Sequence, residues 1–458
     1  MTALQRQRIS KANTMQLLTI LLLVIGSFTA WQPLIAASVV LAVLSILMQW
    51  GKLLKLGRVF FCVAVCAAAA ILWFQPQMWV FLWKAVIQGV AFAALMMVLG
   101  MLRFPVRRSP TVRQASAYLI VRPPNIRYAV INIGAQFLSL LFNVGMIAMI
   151  GDLTRPADGR ADPARRAMVI AAMRGAALVS IWSPVGLGFS IVTTGIPGLD
   201  AAGFLLLSAT FTMAALLATA LFPNLPTDAR VGTQAGMSAE KGSLCSLMLT
   251  LAACAILLAL AIGLHQFTGI SFTLASVTVL PVFSILWLVM EPVANNDGFL
   301  SDLSQSVSGL SDLTNESAIF LSANVIGAAL SIFVGGLPIW QDMLTGALPA
   351  LPLLLGCLIV IPLAAALFIP NSVFVVMLAQ LLGPSPLGQA HPLSLALTLS
   401  VGWAAAISLS PISAMCLITG SFCGVSSRKV AWVWNRRFVC ILLTMAATTI
   451  TMLQLWGL

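Results

Sequence analysis

Two asparagines and two serine-proline pairs carry most of the binding chemistry that this chain offers. Asn143 stands in Leu141-Phe142-Asn143-Val144 and Asn371 in Ile369-Pro370-Asn371-Ser372, and each interrupts a long apolar run. Downstream of the first lies Ala176-Ala177-Leu178-Val179-Ser180-Ile181-Trp182-Ser183-Pro184, and downstream of the second Ala404-Ala405-Ala406-Ile407-Ser408-Leu409-Ser410-Pro411. Gly186 and Gly188 follow the first pair and Ser413 the second. A proline inside a helix removes a hydrogen bond and clashes with the preceding turn, so backbone carbonyls and N–H groups are freed at such a site. Amide and hydroxyl oxygens beside freed carbonyls suit a hard cation, whereas amide NH2 groups and helix N-termini suit an anion. The candidate binding residues are therefore Asn143, Ser180, Ser183, Pro184 and Gly186, with Asn371, Ser372, Ser408, Ser410, Pro411 and Ser413. A Na⁺ is expected near Asn143 and Asn371.

Other chemistries lack their groups. All twelve Asp and Glu fall in loops or at the ends of apolar runs, and a proton relay inside a membrane usually needs a carboxylate at mid-depth. Na⁺ is thus favoured over H⁺ as a coupling ion, with Glu316, beside Asn315, as the proton carrier if the rival reading of a cation/proton antiporter holds. The acidic concentration between residues 291 and 316 has no His or Cys partner. That weakens the alternative of a membrane-embedded enzyme of lipid-linked glycan metabolism, and no enzymatic activity is expected. No Gly-rich phosphate loop ending in Lys-Ser or Lys-Thr is present, which argues against a nucleotide-driven pump. The eight cysteines sit mostly inside apolar runs without metal-ligand spacing, so they read as small hydrophobes, and no cofactor is expected. Arg174, one helical stretch before Pro184, either draws an anion into a cytoplasmic vestibule or snorkels to lipid headgroups.

The elements that hold these residues follow from composition. Sixty per cent of the chain is hydrophobic and 8% charged, with mean hydropathy +1.04, too apolar for a water-soluble fold. Apolar runs of about 20 residues recur, the length that crosses a ~30 Å hydrocarbon core as a helix. Eleven spans are predicted, at about 15–30, 33–49, 59–75, 78–102, 167–192, 201–222, 243–264, 270–290, 317–337, 393–421 and 438–456. The stretches at 129–150 and 352–383 are read as re-entrant hairpins, because only then do 22 of the 24 Lys and Arg residues fall on one side. The net charge of +12 is accordingly a signature of topology and predicts no nucleic-acid partner. The N-terminus is expected in the cytoplasm and the C-terminus in the periplasm of a bacterial inner membrane. Arg6, Arg8 and Lys11 precede the first run, but a second run follows closely, so a retained helix is favoured over a signal peptide.

The interval from Asn143 to Pro184 matches that from Asn371 to Pro411 to within a single position, and the two copies stand half a chain apart. This points to an internal duplication in opposite orientations. Residues 1–32 form a tail and an extra first helix, 33–222 the first inverted repeat, 223–242 a cytoplasmic linker and 243–458 the second repeat. The fold class expected is an all-α polytopic membrane protein with two hairpins and two inverted repeats, and paired broken helices at mid-membrane indicate a secondary transporter.

This arrangement of five helices and a hairpin in each half, with an extra first helix, resembles the ion transporter superfamily, which includes divalent anion/sodium symporters and arsenite permease-like carriers. In sodium-coupled dicarboxylate members the hairpin tips carry Ser-Asn-Thr; here the matching positions are Phe142-Asn143-Val144 and Pro370-Asn371-Ser372, which keep the Asn. The resemblance implies a homodimer that works by an elevator-like motion, and a small, anionic organic or inorganic solute.

Overall fold

The structure, a computed structural model, describes residues 10–155, 163–223, 225, 241–291, 298–338, 340 and 350–456. Arg6, Arg8, Asp158, Arg160, Asp162, Asp228, Arg230, Glu240, Asp297 and Asp342, and most of the linker expected at 223–242, lie outside the described residues. The chain is a multi-pass, all-helical membrane protein. Ten helical stretches are long and apolar enough to cross a membrane among the described residues. The eleventh expected span is Gln32–Met48, an apolar helix of 17 residues.

Two compact units divide the chain, each drawing on both halves of the sequence: residues 1–109 with 257–336, and 110–256 with 337–458. In the first unit the helices are α1 (Lys11–Thr29), α2 (Gln32–Met48), α3 (Lys55–Phe74) and α4 (Trp79–Arg108). The end of α11 (Leu244–Thr268), α12 (Phe272–Met290), the short α13 (Gly298–Ser308) and α14 (Thr314–Gly335) complete it. Local capping explains several boundaries. Ser10 accepts from the Asn13 N–H at the start of α1 and Ser271 from the Leu274 N–H at the start of α12, which satisfies donors that a helix start leaves orphaned. Around α4 pack α2, α12 and α14, so α4 is mostly buried. α3, by contrast, leaves Val59, Val63, Trp73 and Phe74 exposed, an outward apolar face whose solvent is lipid. Within this unit Arg108 pairs with Asp302, which neutralises part of the acidic stretch at 291–316.

The second unit holds every candidate binding residue. Its first segment runs α5 (Pro110–Ile120), α6 (Pro124–Phe142), α7 (Gly145–Leu153), α8 (Pro163–Trp182), α9 (Leu187–Gly195) and α10 (Ala201–Leu221), with the start of α11. Its second runs α15 (Ala350–Ala366), α16 (Asn371–Leu382), α17 (Pro386–Ala390), α18 (Pro392–Leu409), α19 (Ala414–Cys423) and α20 (Arg436–Leu455). The hairpins foreseen at 129–150 and 352–383 are α6–α7 and α15–α16. Their second arms, 9 and 12 residues, reach only about 14 and 18 Å at 1.5 Å per residue, too short to cross. The broken helices are α8–α9 and α18–α19.

The packing of the two segments corresponds piece by piece. α6 lies on α8 and α15 on α18; α10 covers α6 and α8, and α20 covers α15 and α18. The second arms cross over: α7 packs on α19, and α16 on α9. Individual contacts repeat the pattern. A β-carbon on Gly151 of α7 would lie 2.5 Å from the Phe422 ring of α19, and one on Gly195 of α9 would lie 2.7 Å from the Ala379 β-carbon of α16. Gly151 and Ala379 are separated by the same interval as Asn143 and Asn371, and Gly195 and Phe422 by the same interval as Pro184 and Pro411. The two contacts are therefore one contact repeated with its sides exchanged.

Candidate functional site

Each broken helix is interrupted in the same way. α8 stops at Trp182 and α9 starts at Leu187; α18 stops at Leu409 and α19 starts at Ala414. The four residues between are Ser183-Pro184-Val185-Gly186 and Ser410-Pro411-Ile412-Ser413. In each, the first serine still closes the helix before it: the Ser183 N–H donates to the Val179 carbonyl at 3.0 Å, and the Ser410 N–H to the Ala406 carbonyl at 2.9 Å. The fourth residue then bonds back to the first, from the Gly186 N–H to the Ser183 carbonyl at 2.8 Å and from the Ser413 N–H to the Ser410 carbonyl at 3.1 Å. Proline at the second position cannot donate, so the helix cannot run through it. Ser413 caps α19 by accepting from the Cys416 N–H, whereas Gly186 offers α9 no side-chain cap.

The hairpin tips differ. Asn143 is exposed, with φ 50° and ψ −128°, and Val144 follows at φ −65° and ψ −15°. These are the dihedrals of the two central positions of a type II′ turn, a place for Gly, Asn or Asp. At the second tip the positive φ falls on Phe368, at 66°, and Asn371 is the first residue of α16. Neither Asn143 nor Asn371 makes a side-chain hydrogen bond among the described residues, and both amides are free to serve a ligand.

The hydroxyls divide into used and unused. Ser180 donates to the Ala177 carbonyl at 2.7 Å and Ser408 to the Ala404 carbonyl at 2.9 Å, each within its own helix. Ser183 is fully buried and its Oγ has no partner among the described residues. Ser410 and Ser372 are buried as well. A hydroxyl held in an apolar interior without a partner is costly, and the Ser183 Oγ is open to a bond with a ligand. Four helices of nine residues or more, α7, α9, α16 and α19, begin at these tips and breaks. Their N-terminal N–H groups and dipoles favour negative charge.

Arg174 takes neither role expected of it. The residue is 1% exposed, which rules out both a vestibule-facing and a lipid-snorkelling side chain. Nε donates to Asn435 Oδ1 at 3.3 Å, one Nη to the Tyr128 hydroxyl at 2.9 Å and to the Pro223 carbonyl, and the other Nη to the Trp434 carbonyl at 2.9 Å. The Phe438 ring lies 5.4 Å beneath the cation. Asn435 in turn donates to the Ser408 carbonyl at 3.3 Å. The Cys416 thiol reaches the same carbonyl at 3.4 Å and that of Ile407 at 3.8 Å. The carbonyls at the end of α18 are therefore held by protein groups, backed by a positive charge that suits a helix C-terminus, and they are not open ligands. Sequence reasoning missed this clamp because the groups that meet Arg174 of α8 are scattered along the chain, over α6, the end of α10, α18, α19 and the π-helical turn Val430–Trp434. The turn's tryptophans, Trp432 and Trp434, gave no hint of it.

Glycines at the repeat offset were also overlooked. Gly175 packs so close to α6 that a β-carbon would collide with the Asn132 carbonyl. Gly402, its counterpart at the interval that separates Pro184 from Pro411, would place a β-carbon 2.7 Å from Ile361 of α15. Among the described residues there is no group of three or more His, Cys, Asp or Glu side chains that could hold a metal. Any cation at the tips would be bound by amide, hydroxyl and backbone oxygens.

No family model matches the chain, and no curated protein matches it. Among solved structures, it is similar to the YdaH transporter of Alcanivorax borkumensis at 15% identity and a TM-score of 0.58, over 88% of this chain and 98% of that one. The chain shares the fold of a membrane transporter.

Proposed function

We propose that this chain is a secondary active transporter that moves a small anionic solute, organic or inorganic, across a bacterial inner membrane, coupled to Na⁺. The observation that carries the reading is the pair of matching four-residue interruptions, Ser183–Gly186 and Ser410–Ser413, with the hairpin tips of Asn143 and Asn371 at the same sequence offset and in one compact unit. Broken helices are tolerated in a bilayer where they line protein or a polar cavity, and transporters build their sites from them. The exchanged contacts of α7 with α19 and α16 with α9 support an inverted duplication, and the likeness to a transporter structure supports the class.

Neutral oxygens from Asn143, Ser183, Asn371 and Ser410 suit a monovalent cation, and the helix N-termini suit the anion beside it. The second unit, which carries all of these residues, is the body that shifts in an elevator-like cycle, and the working form is a homodimer. The N-terminus faces the cytoplasm.

Reconstituted proteoliposomes given a panel of radiolabelled organic and inorganic anions test the reading. At least one anion should accumulate under an inward Na⁺ gradient and should continue to do so when the pH gradient alone is collapsed. Full uptake in Na⁺-free buffer driven by protons would overturn the coupling assignment and turn attention to Glu316.

A further inference from the structure

Below the first hairpin tip, α6 carries Asn132, Gln136 and Ser139. At spacings of four and three these residues share one helix face, and Asn143 at the tip continues the row. All three are buried, Asn132 and Gln136 with 0% exposure. Asn132 spends its NH2 on the Thr219 hydroxyl of α10 at 2.9 Å, which turns the row toward α10. Among the described residues its Oδ1 has no partner; nor do Gln136 Oε1 and Nε2, Ser139 Oγ, or the Thr212 hydroxyl two turns before Thr219 on α10. An amide left unpaired at both ends in an apolar interior is costly, and native structures satisfy such groups.

The matching place in the second hairpin shows that the fold does not require these groups. Against Gly402, which corresponds to Gly175, α15 presents Ile361 and a turn later Ala365, both fully buried. At the interval that separates Asn143 from Asn371, Asn132, Gln136 and Ser139 correspond to Val360, Ala364 and Leu367, none of which is polar.

We propose that Asn132, Gln136, Ser139 and Thr212 form a second site, distinct from the tip, for a hydrated monovalent cation. Four neutral oxygens without a carboxylate suit a singly charged hard ion rather than a divalent one. Gln136 Nε2, which only donates, takes the oxygen of a water in the ion's shell. Gln136 lies about 10 Å below the Asn143 tip at 1.5 Å per residue, so the row is a station between the tip and the start of the arm. Only this role as a station rests on the transport reading; the site itself does not.

The test is Na⁺ titration of the purified full-length protein against choline at constant ionic strength, read as thermal unfolding. The wild type should be stabilised by Na⁺. Gln136→Leu should remain folded in choline, with an unfolding temperature equal to or above that of the wild type. It should shift the Na⁺ titration at least about tenfold to higher concentration, since about 1.4 kcal/mol is a factor of ten. Ser139→Ala should shift it less. A Gln136→Leu titration that superimposes on the wild type, or a wild type indifferent to Na⁺, overturns the site and leaves the row as buried amides satisfied by water. The transport reading fails separately, through normal uptake by the tip variants.

Discussion

At Asn143 two demands meet in one residue. The turn needs a residue that accepts φ 50°, and the proposed site needs an amide. Glycine satisfies the turn without the amide, so Asn143→Gly should fold with wild-type stability yet lose uptake by an order of magnitude or more. Asn143→Ala should lose uptake and, in addition, about 1–2 kcal/mol of stability to left-handed strain. If Asn143→Gly transports normally, the asparagine is there for the turn. Arg174 makes the opposite case, a charge fully spent on structure. Asn435→Leu strips the guanidinium of one acceptor and the Ser408 carbonyl of one donor. Loss of one hydrogen bond to a charged group costs about 1.5–3 kcal/mol, and the unfolding temperature should fall accordingly. Arg174→Lys should not restore the clamp, because one ammonium cannot span the four acceptors. The sequence displayed both residue types plainly. It could not say that Arg174 is enclosed, because Asn435 lies in the other half of the chain.

Between elements, the decisive contacts are helix pairs brought close by glycine. α8 meets α6 at Gly175, and α18 meets α15 at Gly402. Alanine at Gly175 drives its methyl into the Asn132 carbonyl, which the α6 backbone fixes in place, whereas alanine at Gly402 meets the Ile361 side chain. Overpacking costs about 1–3 kcal/mol; Gly175→Ala should therefore be the more destabilising of the two in thermal unfolding, and equal effects would contradict the packing described. The interruptions themselves were legible in the sequence, since a Ser-Pro pair inside an apolar run has few other outcomes. The hairpins were legible through charge, because six arginines between residues 103 and 127 and two more at 165 and 166 leave no place for an odd crossing between them. Hidden were α5, α13 and the π-turn at Val430–Trp434, short elements whose boundaries depend on what they pack against. The different shape of the second tip was hidden as well: the sequence aligned Asn371 with Asn143, but the backbone gives the positive φ to Phe368.

Over the whole chain, the repeats read from the sequence and the compact units seen in the structure cut across each other. Each unit takes one stretch from either half, as a body would if its two parts arose by duplication and then interleaved. The first unit holds none of the candidate binding residues. Labelling of single cysteines in a Cys-free background tests the topology: position 426 should react from the cytoplasmic side only, and position 198, where nothing lies near an added β-carbon, from outside only. Labelling of 198 from the cytoplasm would invert the account. Most of the architecture was readable because a bilayer allows so few solutions to the backbone's hydrogen-bonding demand; the solute was not, because neutral amides and helix ends recognise a class of charge and not a molecule. The measurement that goes most directly to the central claim is electron cryomicroscopy of the protein with saturating Na⁺ and whichever anion the proteoliposome panel selects. The account predicts ligand density within hydrogen-bonding distance of Asn143 or Asn371 and beside the Ser183 or Ser410 hydroxyl. Density confined to residues 10–109 or 257–336, with the tips and breaks bare, would contradict it.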